Sequence, residues 1–172
     1  MTQMSKHPFI DYLQSLADNQ ERGALAALRR GLGQPPGTVA EMYRYVVPWL
    51  SEKTSRTQET AYYLVAALFA LHPQSTSSGN LGGHMAQTRR EGGEDALERR
   101  FTALLAAHAD DLPDYLRQAI SFLKSNQPAI PVNWNQLFYD IQNWSAPNRY
   151  VQKDWARAFW GRAQSSEEPT TQ

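Results

Sequence analysis

The chain has 172 residues, 17 basic and 17 acidic side chains, 41% hydrophobic and 11% aromatic residues, five Trp and no Cys. This excludes a disulfide framework, a thiolate zinc site and a Cys nucleophile, and the apolar content exceeds that of a disordered tail. A formal net charge of zero argues against a protamine-like binder held by bulk positive charge, but not against one that sorts its charges onto separate faces.

The apolar spacing is helical almost throughout. Phe9, Leu13, Leu16 and Ala17 share one face, and Leu25, Leu28 and Leu32 a second that ends at Gly31 or Gly33. Thr38 with Glu41 reads as a capping box before Met42, Tyr43 and Val46, and Pro48 stops that helix. Ala61, Leu64, Val65, Leu68 and Phe69 predict a long buried helix that ends before Pro73. Leu97, Phe101, Leu104 and Leu105 mark another. Leu112, Leu116, Ala119, Ile120 and Leu123 form the cleanest stripe in the chain. Asn133 with Gln136 caps a helix carrying Leu137, Phe138 and Ile141. Pro147 fits the first turn of a last helix with Val151, Trp155, Ala158 and Phe159.

No segment alternates long enough to predict a strand. The expected fold class is therefore all-α, with two small helical bundles over 1–73 and 96–164. Between them, residues 74–95 are Gly/Ser-rich and read as a linker; the rival reading is a loop ordered on binding, with Arg89 and Arg90 as contacts. The polar end, 165–172, is expected to be disordered. No apolar signal region opens the chain. The longest apolar run, Ala61 to Leu71, falls short of the ~20 residues a bilayer span needs. A soluble cytoplasmic protein with no membrane partner is expected.

Motifs for catalysis are absent. The four His (His7, His72, His84, His108) are scattered, without the i,i+4 pair of a helical zinc site. His72 suits a helix end, and His108 continues the Leu97 face as a core histidine. Glu91, Glu94, Asp95 and Glu98 form an acidic stripe at a helix start, where it complements the dipole; a magnesium-dependent nuclease is the rival reading. Gly79, Gly82 and Gly83 lack the Lys-Ser/Thr of a phosphate loop. No metal and no cofactor are expected.

The positive charge is sorted. Between Arg99 and Arg162 there are eight basic and five acidic residues. On the last helix Arg149, Lys153 and Arg157, spaced i, i+4, i+8, span an arc of about 80°, opposite the apolar face and with Trp160 among them. Arg117 and Lys124 lie opposite the Leu112 stripe, with Gln118 and Ser121. Arg99 and Arg100 lie off the Leu97 stripe. Arg29 and Arg30 close the second helix, and Arg56 opens the fourth. Such faces suit phosphate, though Lys and Arg also occupy ordinary solvated faces.

At these residues the chain resembles a family, the small subunit (CasB) of the type I-E CRISPR surveillance complex Cascade. The matching segments are RGALAALRRG (22–31), EMYRYVVPW (41–49), NLG (80–82), LERRFTALL (97–105), LPDYLRQAISFLK (112–124) and RYVQKDWARAFW (149–160). Each is loose, and their order and spacing carry the likeness. The resemblance implies a non-catalytic, all-helical protein, two copies of which associate within the complex against its backbone and large subunits and beside the guide RNA. Its basic surface would steady the guide–target hybrid and the displaced DNA strand. Carried over, the nucleic-acid-binding candidates are Arg30, Arg56, Arg100, Arg117, Arg149, Lys153 and Arg157. The rival reading is a helical protein–protein scaffold with no direct nucleic-acid role.

Overall fold

Helix α1 (Pro8–Asp18) opens with the His7 imidazole accepting the Phe9 N–H at 3.1 Å. The computed structural model describes residues 6–161. After α2 (Arg22–Arg29), a loop passes through left-handed Gly33 and Gly37 into the short helix α3 (Tyr43–Val46), which is flanked by 3-10 turns at Ala40–Met42 and Val47–Trp49. The expected capping box at Thr38 and Glu41 does not form. The Thr38 hydroxyl donates to the Pro35 carbonyl, and Glu41 pairs with Arg30 instead. Ser55 and Gln58 make the reciprocal pair at the start of α4 (Arg56–Leu71).

Helix α4 is the centre of the fold. Nine of its sixteen residues, Ala61 and Tyr63 through Ala70, are buried. A helix apolar on most sides needs partners on most sides, and α2, α7 (Leu112–Ser125) and α8 (Trp134–Gln142) all pack on it. The expected Leu112 stripe is buried at every position, and each of its Leu and Ile side chains stabilises the fold by about 1.5–3 kcal/mol. One core cluster runs from Phe9 to Phe159. Aromatic contacts such as Phe9 on Phe138 at 6.0 Å tie α1 to α8 across the sequence. No strand occurs among the described residues, only an isolated bridge between Ser75 and Val132.

Residues 74–95 differ from the expected linker. Thr76 N–H donates to the Val132 carbonyl and Val132 N–H to the Gln74 carbonyl, both at 3.0 Å, and the Trp134 indole also donates to Gln74. Asn80 then caps α5 (Leu81–Ala86), its side-chain oxygen accepting the Gly83 N–H at 3.0 Å. Leu81 and Met85, one helical turn apart, are buried with Gly82 and His84. The reading of Arg89 and Arg90 as binding contacts meets a similar difference. Arg89 donates to the Phe159 carbonyl and lies over its ring, and Arg90 donates to Asn126. The tail at 165–172 lies outside the described residues.

Helix α6 (Glu94–Ala106) lies between α7 on one side and α9 (Tyr150–Trp160) on the other. On the α9 side Phe101 stacks on Phe159 at 4.1 Å, and Trp160 donates to Glu98 at 3.3 Å. The last helix begins later than Pro147 suggests, because Arg149 takes a left-handed conformation, φ 54°, and breaks the helical run.

Candidate nucleic-acid interface

All seven candidate cations are exposed, but the fold separates them. Arg100 and Arg117 meet across an open trough of about 970 Å³ between α6 and α7, joined by Arg99. Its base is formed by Ala103, Leu104, Ala119 and Phe122, with Met85 of α5. The Arg100 guanidinium lies 5.3 Å from the centre of the Phe122 ring. Helical spacing explains the grouping. Position 100 points to the α7 side of α6, whereas 98, 101 and 105 point to α9.

Arg117 is seated by Gly33. A β-carbon there would lie 2.6 Å from an Arg117 terminal nitrogen, and φ of +76° favours glycine. Gly33→Ala is expected to cost about 1–2 kcal/mol for the left-handed backbone. It would also turn Arg117 aside, since a flexible side-chain end yields before backbone does. Urea unfolding measures the first effect.

The other candidates stand apart from the trough. Arg30 pairs with Glu41 at 3.0 Å. Arg56 begins α4. The expected stripe on the last helix loses its first member, because left-handed Arg149 precedes α9 and reaches back to the Leu105 carbonyl at 2.6 Å; on α9 itself Arg157 pairs with Asp154 at 3.0 Å, leaving Lys153 between them. These contacts are exposed and screened by solvent, so an anion can displace them. Trp160, expected among these cations, is turned towards α6 and packs on Phe101 and Phe159.

Histidine placement also differs from expectation. His108 is exposed and 3.5 Å from Asp110, because the chain turns away after Ala106. His72 and His84 are the buried ones, each 2% exposed. Burial lowers both pKa values; their bonds to the Ile130 and Ser78 carbonyls oppose that effect. In the acidic stripe, Glu94 and Asp95 sit in the first turn of α6 and Glu91 precedes it. Among the described residues no three His, Cys, Asp or Glu converge as a metal site.

Sequence reasoning missed Tyr115 and Phe122, which line the trough from α7, and Gly33, which seats Arg117. The first two stand seven residues apart, off the Leu112 stripe, and that spacing marks a second face of α7.

A family model for the CRISPR-associated protein Cse2 matches residues 24–160, a span that holds every candidate cation. The chain belongs to the Cse2 family. A Cse2 protein of Thermus thermophilus is 35% identical over 162 residues, covering 93% of this chain and 92% of its own. The crystal structure of CasB from Thermus thermophilus is similar at 32% identity and a TM-score of 0.78, covering 90% and 96% of the two chains. A chain of a CRISPR RNA-guided surveillance complex is similar at 26% identity and a TM-score of 0.74, covering 88% of each. The resemblance read from the residues thus agrees with the Cse2 family match, and the all-helical fold agrees with its solved relatives.

Proposed function

We propose that this Cse2-family chain is the small subunit of a type I-E Cascade complex. In this reading it is a non-catalytic part that holds nucleic-acid backbone beside the guide RNA and the other subunits. The trough that brings Arg99, Arg100 and Arg117 together carries the nucleic-acid part of the reading. The likeness to a chain of an RNA-guided surveillance complex supports the assembly. An R-loop is a near-balanced exchange of one duplex for another. A few phosphate contacts therefore suffice to tip it, and they need spaced cations rather than base-reading motifs. A formally neutral chain with sorted charge can pack against protein on one face and meet phosphate on another.

The test is R-loop formation by the reconstituted complex. Arg100→Glu with Arg117→Glu is expected to weaken target binding about tenfold or more and to lower the salt slope by about 2. The same reversal of Arg149, Lys153 and Arg157 tests the α9 stripe separately. Normal R-loops from a fully assembled complex carrying all five changes would leave the scaffold reading. Reproducible DNA cleavage with magnesium by the purified chain, lost in Glu94→Ala, would overturn the non-catalytic one.

A further inference from the structure

We propose that the trough between α6 and α7 takes an unstacked nucleobase of the strand whose phosphates Arg99, Arg100 and Arg117 hold. This rests on the nucleic-acid reading above and adds a mode of contact to it. Binding to phosphate alone asks only for cations on an open surface; it does not require a concavity. Here the cations rim a recess with an apolar base. Small Ala103 and Ala119 leave depth, and half-buried Phe122 offers a ring edge or face.

Two features fit a base better than another apolar ligand. The exposed Arg100 guanidinium lies 5.3 Å from the centre of the half-buried Phe122 ring, and bases stack on guanidinium and aromatic planes regardless of sequence. Along the α7 rim, Gln118 and Ser121 can each donate and accept hydrogen bonds, so their contacts to a base edge tolerate any base. Charge complementarity names the same occupant. The trough is lined by three Arg and a single acid, Asp114. A groove built for a protein helix would present large exposed aliphatics. Among the described residues, the exposed large apolar side chains, Tyr43, Val47, Tyr139 and Trp160, all lie elsewhere.

The test uses the full chain and two dye-labelled 12-nucleotide single strands, one oligo-dT and one with abasic sugars at its centre. Titration by fluorescence anisotropy is expected to show the base-bearing strand binding about five- to tenfold tighter. Arg100→Lys keeps the charge and loses the plane, and Phe122→Leu keeps the bulk and loses the ring. Both should erase that preference while leaving the salt slope unchanged. A 2-aminopurine placed at the same central position should change its fluorescence on binding to the wild-type chain and not to Arg100→Lys. Equal affinity for the two strands would overturn the base trough and leave phosphate binding standing. So would displacement of both strands alike by a poly-glutamate peptide, which would mark the trough as a cation patch for acidic protein. Failure to bind either strand would overturn the nucleic-acid reading itself, and the trough with it.

Discussion

Gly82→Ala is expected to destabilise the chain by about 3 kcal/mol, the upper range for overpacking a filled contact. Gly82 sits where α5 crosses α9. A β-carbon there would lie 2.7 Å from the Trp155 Cα and within touching distance of its carbonyl oxygen. Neither is the end of a flexible side chain, so one helix has to move. Helix α9 resists, because Trp155 is fully buried and its indole N–H bonds to Asp140 at 2.7 Å. Helix α5 would move instead, and with it Leu81 and Met85 leave the core. Gly83 supplies the control. Its β-carbon would meet Ala158 Cβ at an ordinary 3.7 Å, and Ala suits a helix better than Gly by ~1 kcal/mol. Urea unfolding should therefore show Gly83→Ala at or above the wild-type midpoint and Gly82→Ala well below it. Equal midpoints for the two variants would mean that the helices do not cross so closely.

The crossing also shows where sequence reading stops. Helices α4 and α7 were legible because long apolar periodicity is a local signal, and every residue of the expected Leu112 stripe is buried. Helix α5 was not. It is six residues long and contains two glycines, so its local propensity is poor and packing on α9 makes it. The Asn80 cap followed by Leu81 and Met85 was the available clue, hidden in Gly/Ser-rich surroundings. The two capping boxes teach a similar lesson. Thr38 with Glu41 and Ser55 with Gln58 fit one pattern, but only the second precedes a helix long enough to use it. Among the candidate cations, exposure was readable from helical phase. Grouping was not, because which side of α6 faces α7 is decided by tertiary packing. Arg100 and Arg117 were thus placed among seven equals, although the fold sets them together.

Asp140→Asn is expected to make the chain more stable above pH 6 and nearly unchanged at pH 4. Asp140 is 4% exposed. Burial pushes its carboxyl from 3.8 up to about 6, against the donors Trp155 and Gln136 at 2.7 and 2.8 Å, with the Asp154 charge adding to the rise. In the window between those values the folded chain keeps a proton that the unfolded chain has released. The stability this contributes is fully present below pH 3.8 and is lost as pH rises through about 6. A loss of about 3 kcal/mol follows. Asparagine does not titrate. Its oxygen still accepts from Trp155, and its amide faces Gln136, whose own amide turns to present oxygen. His72 and His84 act in the opposite direction, losing stability as pH falls, because burial keeps them neutral. Both proteins share them, so the difference between the two unfolding curves isolates Asp140. That difference should grow with pH by about 2 kcal/mol between pH 4 and pH 7; a flat difference would show a carboxyl that ionises at its ordinary value. The acid costs stability at neutral pH, yet its oxygens aim the indole of Trp155, whose backbone Gly82 must clear.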